Sequence, residues 1–237
     1  MIRLNKMIAN AGVCSRRKAD ELIRQGRVQV NHKIVTELGV QIEPRNDRIE
    51  IDGQPVELPE KEILILFNKP QNCLTTVSDN FRRKIVFDFI NVPYRIYPVG
   101  RLDFDAEGLL ILTNSGELAY RLAHPKFKID KVYHVTVEKP VTPEMVHRLQ
   151  AGVAIESGVT VTAGVRVVSP HVVELTLHQG IKRQVKRMIK AVGNRVTALK
   201  RTRLGTLELG DLQPGEWRYL KEEEIAQLKK IVRLPWK

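Results

Sequence analysis

The chain has 237 residues, with 39 Lys and Arg against 27 Asp and Glu, a formal charge of +12. That length holds one large domain or a small and a medium one, and the charge excess points to a polyanionic partner, most often nucleic acid. Cys14 and Cys73 are far apart and the six histidines lack ligand spacing, which excludes a disulfide scaffold and gives no metal site; with no apolar run of about 18 residues and no signal core, a cytoplasmic protein without a membrane partner is expected.

Leu4, Met7, Ile8 and Ala11 recur at helical spacing and stop at Gly12. Ser15 caps a second expected helix, whose apolar residues Ala19, Leu22 and Ile23 run to Gly26. Val28–Val30 and Ile34-Val35 flank an Asn31-His32-Lys33 turn, and Ile49–Ile51 runs into Asp52-Gly53, a hairpin signal. These elements make an α-α-β unit of about 55–60 residues. Arg16, Arg17 and Lys18 crowd the start of the second helix, where the macrodipole disfavours cations but suits a phosphate. Arg3, Lys6, Arg24, Arg27 and Lys33 extend this basic set, which otherwise reads as a solvated face.

Residues 58–62 read as a hydrophilic linker, and the apolar run 63–67 as a buried strand closed by Asn68-Lys69-Pro70. Residues 71–98 carry no clear period. In Gly100-Arg101-Leu102-Asp103, an acid two residues from a cation precedes the strand-like Leu109–Leu112. A nearby cation keeps a carboxylate ionised and able to act as nucleophile or base, whereas an ordinary loop salt bridge is the alternative. A short helix at 118–123, a strand at 131–137, a helix from Thr142-Pro143 and strands at 165–168 and 172–177 follow. A helix is expected from about Ile181 to Val192, with Lys182, Arg183, Lys186, Arg187 and Lys190 on its polar side. Strands at 195–199 and 202–209 and a charged helix near 221–230 close the chain. The expected class is α+β: the small α-α-β domain, then a mixed, largely antiparallel sheet with flanking helices.

Residues 3–23, Arg-Leu-Asn-Lys-Met-Ile-Ala-Asn-Ala-Gly-Val-Cys-Ser-Arg-Arg-Lys-Ala-Asp-Glu-Leu-Ile, followed by Gly26-Arg27-Val28 and Val30-Asn31, resemble the S-four RNA-binding domain. Gly100-Arg-Leu-Asp103, Leu112-Thr-Asn-Ser-Gly-Glu-Leu-Ala119, Lys131-Val-Tyr133, His178-Gln-Gly-Ile-Lys-Arg-Gln-Val-Lys-Arg-Met188 and the tail 204–218 resemble, in the same order, bacterial ribosomal-RNA pseudouridine synthases of the RsuA/RluB type. The resemblance implies domains at 1–60 and 62–237 and Asp103 as the catalytic residue. It implies Arg101 near the flipped nucleotide, Tyr133 stacking on or hydrogen-bonding the base, and Lys186 as counter-ion to Asp103. Lys182, Arg183 and Arg187 join the N-terminal basic residues as RNA contacts. By itself Tyr133 reads as core and Lys186 as a solvated lysine. Ala106 and Ser115 stand where the family often has Thr and Asp.

The implied reaction cleaves the uridine N1–C1′ bond, turns the base and rejoins it through C5, with no atoms gained or lost, so no cofactor or metal is expected. The expected partner of this enzyme is ribosomal RNA or a pre-ribosomal particle, with 23S favoured over 16S, and the protein is expected to be a monomer. A catalytically silent RNA-binding or ribosome-assembly factor on the same fold is the rival, against which the intact Asp103, Tyr133 and Lys186 argue. A DNA-binding protein rests on net charge alone.

Overall fold

In the computed structural model, residues 1–59, 61–155 and 158–235 are described. Glu60, inside the expected linker, and the last two residues of the expected catalytic domain lie outside them. The chain separates into two units. One holds Met1–Ile63 with Val92–Ile96 and Asn114–Gly116; the other holds Leu64–Asn91, Tyr97–Thr113 and the chain from Glu117.

In the first unit α1 (Leu4–Asn10) and α2 (Arg16–Arg24) pack through Leu4, Met7, Ile8, Ala19, Leu22 and Ile23. Gly12, with φ of 80°, lets the chain leave α1, and the Lys18 N–H donates to Ser15 Oγ at 3.2 Å to start α2. The strands are β1 (Ile2–Arg3), β2 (Val28–Val30), β3 (Lys33–Val35), β4 (Gln41–Ile42), β5 (Ile49–Ile51) and β6 (Gln54–Pro55). β1 pairs with β4, and the others form a sheet in the order β3-β2-β5-β6. Asn31 and His32 both have positive φ, as do Asp52 and Gly53. Two residues in that conformation make hairpin turns that match the strand twist. Lys33 therefore belongs to β3, not to the turn.

The second unit is built on β7 (Leu64–Lys69), β8 (Tyr97–Pro98), β9 (Glu107–Thr113), β10 (Lys131–Val137), β11 (Val153–Ala154), β12 (Thr160–Val161), β13 (Gly164–Ser169), β14 (Val172–Leu177), β15 (Val196–Leu204), β16 (Leu207–Glu208) and β17 (Trp217–Tyr219). The main sheet runs β13-β14-β10-β15-β9-β7-β17, with β16 beside β15 and β8 beside β9. Every pairing in it is antiparallel except β9 with β15. The expected strands at 195–199 and 202–209 are thus one long β15, turned at Gly205 into β16.

Helices α3 (Gly116–Ala123), α4 (Pro143–Ala151), α5 (Gln184–Ala191) and α6 (Glu222–Ile231) flank this sheet. Leu64, Leu66, Leu109 and Ile111 alternate along β7 and β9 and meet Leu118 and Leu122 of α3 and Leu228 of α6 in one core cluster. On β7 the intervening residues are buried too, and Phe67 meets the Phe89 ring at 5.8 Å. A strand covered on both faces reads as a continuous apolar run, which is how 63–67 appears.

Candidate active site

Asp103 lies on the loop that leads from β8 into β9, and the loop is tied down around it. The Thr75 hydroxyl donates to the Leu102 carbonyl at 2.9 Å, and the Leu102 N–H returns to Thr75 Oγ1 at 3.3 Å. The Ala106 N–H closes a turn onto the Asp103 carbonyl at 3.1 Å. Beneath it Lys69, fully buried at the end of β7, donates to the carbonyls of Pro70 and Ala106, both at 2.8 Å, and of Phe104 at 3.4 Å. At the start of β9, Gly108 meets the backbone of Arg201 on β15 so closely that no side chain fits. The Arg201 guanidinium donates through Nε to the Leu109 carbonyl at 2.7 Å.

Asp103 itself is half-buried, and among the described residues its carboxylate accepts no hydrogen bond and forms no ion pair. It faces a cavity of about 570 Å³ whose lining includes Arg101, Tyr133, Lys131, Arg183 and Arg201. Tyr133 is 9% exposed, on the face of β10 that also carries Lys131. Opposite Tyr133 on β15 stands Arg201. Burial, reinforced by repulsion from Arg201, pushes Lys131 down to about 8 against the opposing pull of Asp130. Burial likewise pushes Lys69 down to about 8, opposed by Cys73, Asp105, Asp103 and Glu107.

Two expectations need correction here. Lys186 is paired with Asp105, two residues beyond Asp103, and is drawn to that carboxylate rather than to the expected one. Burial opposes ionisation of Asp105, but the hydrogen bond and charge of Lys186, with the charge of Arg183, hold its carboxyl below the usual range. The second concerns α5, which begins at Gln184 instead of Ile181. Gln184 folds back, its Oε1 accepting from the Ile181 N–H at 3.1 Å, and Arg183 takes a left-handed conformation with φ of 55°. Lys182 and Arg183 therefore stand on the cavity-lining loop before the helix, exposed, while Arg187 is half-buried on α5. Arg101 is exposed at the cavity and has no ion pair with Asp103 among the described residues.

The sequence reading overlooked Thr75, Lys69, Gly108 and Arg201. Lys69 had a visible signal, a lysine at the end of a strand that is apolar up to Phe67. Thr75 and Arg201 had none, because their partners lie far away in the chain.

The family model "RNA pseudouridylate synthase" matches residues 63–191, and the "S4 domain" model matches residues 2–49. The chain belongs to the RNA pseudouridylate synthase family. It is 44% identical to the ribosomal large subunit pseudouridine synthase B of Bacillus subtilis, over 98% of this chain and 97% of that one. It is 41% identical to the dual-specificity RNA pseudouridine synthase RluF of Escherichia coli K12, over 98% of this chain and 79% of the relative. A crystal structure of a pseudouridylate synthase aligns with 96% of this chain and 100% of its own, at a TM-score of 0.71 and 32% identity.

In this pseudouridine synthase the basic residues of the S4 domain are not equivalent. Arg3, Arg16, Arg17, Arg24 and Lys33 are exposed, and Lys6 is half-buried. Lys18 is paired with Glu21 at 2.9 Å. Arg27 donates through Nε to Asp52 at 2.9 Å in a two-pronged pair, so its charge is already matched. Among the described residues no group of three or more His, Cys, Asp or Glu could hold a metal ion, and no helix is long and apolar enough to cross a membrane.

Proposed function

We propose that this synthase converts a uridine of ribosomal RNA to pseudouridine, with Asp103 as the group that acts on the nucleotide. The observation that carries this reading is an unpartnered carboxylate on a loop held by Thr75, Lys69 and the Lys186–Asp105 pair, facing a cavity lined by cations and Tyr133. A carboxylate left free of partners can add to the ring, attack C1′ or take the 2′ proton. Tyr133 supplies the ring against which the turned base stacks, and Arg101 stands at the mouth where the flipped nucleotide enters. Lys186 serves Asp103 at one remove, by fixing Asp105. The sequence likeness to a large-subunit synthase favours 23S RNA.

The division of labour follows the two domains that the sequence resemblance implies. The N-terminal unit, about 1–60, grips RNA phosphates through Arg3, Lys6, Arg16, Arg17, Lys18, Arg24, Arg27 and Lys33. The remainder, about 62–237, does the chemistry, with Lys182, Arg183 and Arg187 holding the backbone near the cavity. The reaction needs no cofactor and no metal, and the protein works as a monomer in the cytoplasm, where ribosomal RNA and its pre-ribosomal particles are. The test is a pseudouridine map of ribosomal RNA from cells with and without this protein. A large-subunit position should lose its modification and regain it with the wild-type gene. Loss confined to the small subunit would overturn the 23S assignment, and an unchanged map would overturn the reading.

A further inference from the structure

Among the described residues, two buried cations in the cavity form no ion pair with an acid. We propose that Arg201 and Lys131 form a seat for the detached uracil, which carries a negative charge while it is joined to the ribose through neither N1 nor C5. This rests on the reading of Asp103 as the group acting on the same nucleotide.

Arg201 is 2% exposed and Lys131 is 7% exposed. Their hydrogen bonds go to main-chain carbonyls, Arg201 Nε to Leu109 at 2.7 Å and Lys131 Nζ to Ile129 at 3.2 Å. The nearest acid on Lys131's own segment, Asp130, is itself bound to His178 at 2.9 Å. The other guanidinium nitrogen of Arg201, Nη2, is buried without a partner. Burying an unmatched cation is costly, and an orphaned donor adds to the cost. Stability alone gives no reason to keep such a pair beside a cavity, whereas an incoming acceptor does.

The position selects the base over the phosphate. Arg201 is the cross-strand neighbour of Tyr133, and Lys131 lies two residues along β10 on the same face. Leu177 and Leu204, which flank Lys131 in the sheet, also line the cavity, so apolar side chains stand on both sides of that cation. Arg101, Lys182 and Arg183 are exposed at the cavity and so open to water and to a phosphate.

The chemistry calls for a cation at that spot. When N1–C1′ breaks, its electron pair stays on N1 and spreads to O2 and O4. C1′ is satisfied by a carboxylate oxygen of Asp103 or by loss of the 2′ proton. Rejoining forms C5–C1′ as the Asp103–C1′ bond breaks or as Asp103 returns the proton to C2′; the C5 proton leaves and N1 takes up a proton, so the balance is neutral. The base is anionic only between these events. Fixed cations aimed at O2 or O4 then stabilise the transition state more than the bound uridine.

The test uses the full chain and a short RNA carrying either uridine or 5-fluorouridine at the target. Fluorine makes the departing base a better leaving group, so that substrate leans less on the cations. Disappearance of the starting nucleoside is followed in single turnover. Because Arg201 also holds the Leu109 carbonyl, Lys131→Met is studied beside Arg201→Met, with Arg201→Lys and Lys131→Arg to restore charge. Each Met variant should bind RNA nearly as the wild type does but lose about 100-fold in rate on uridine. The loss on 5-fluorouridine should be about tenfold smaller, and the charge-restoring variants should recover part of it. An equal loss on both substrates, a loss wholly in affinity, or no loss overturns the seat. Asp103→Asn is run alongside. Turnover surviving there, with the expected pattern at Arg201 and Lys131, overturns the aspartate and keeps the cations. A dead Asn variant with normal Met variants overturns the cations alone.

Discussion

A Cβ built on Gly108 would stand 2.3 Å from the Arg201 carbonyl oxygen, on a backbone whose φ of 115° few side chains adopt. Gly108→Ala should therefore cost about 3 kcal/mol or more by forcing β9 from β15. Denaturant unfolding of the two proteins measures this, and a change within about 0.5 kcal/mol would mean the contact yields. Lys131 makes a second residue-scale prediction, in pH. It is pushed down to about 8, so its charge is lost as pH rises through that value. Single-turnover rate at saturating RNA should fall on that alkaline limb, and Lys131→Met should start lower and lack the limb. Arg201 and Asp130 act on Lys131, His178 is bound to Asp130, and Asp103 lines the same cavity; none of these four is a second lysine. Lys69 falls in the same range, so a limb unchanged in Lys131→Met would belong to Lys69. Stability runs the other way. Above about 8 the folded lysine has released a proton that the unfolded one holds to 10.5, so wild type should gain stability relative to Lys131→Met from pH 8 toward 10.5.

At the scale of elements, α2 carries Arg16, Arg17 and Lys18 in its first turn and no acid there. Lys18 already has Glu21 and Arg27 already has Asp52, so Arg16 and Arg17 have the charge most available to a phosphate. Arg16→Gln and Arg17→Gln should each reduce the slope of log affinity against log salt by about 0.7–0.9, and Arg27→Gln by less. Binding over a salt series decides this; equal slopes in all three would show that the ion pair with Asp52 opens on RNA. These helices were legible because caps and apolar spacing are local: Ser15, Gly12 and Thr142 stand where the sequence puts them. The start of α5 was not, since Lys182 and Arg183 continue the helical pattern and only the fold-back of Gln184 ends it. β15 was read as two strands because the adjacent Lys200 and Arg201 interrupt its pattern, and only pairing with β10 shows a single strand.

Over the whole molecule, the +12 charge pointed to a nucleic acid and the motif order to a uridine isomerase, but neither could place a partner across the chain. Lys186 and Asp105 are 81 residues apart, and a carboxylate two positions from the expected one takes the bond. Asp103 stays legible because one short motif carries it, while Arg201 and Lys69 are defined only by what surrounds them once the sheet is assembled. The claim on which the rest depends is that Asp103 acts on the nucleotide and does not merely shape the loop. Its most direct measurement is pseudouridine formation in a short RNA by Asp103→Asn in single turnover, with RNA affinity taken in parallel. The account predicts no pseudouridine and affinity within a few-fold of wild type. Pseudouridine formed at near wild-type rate would contradict it.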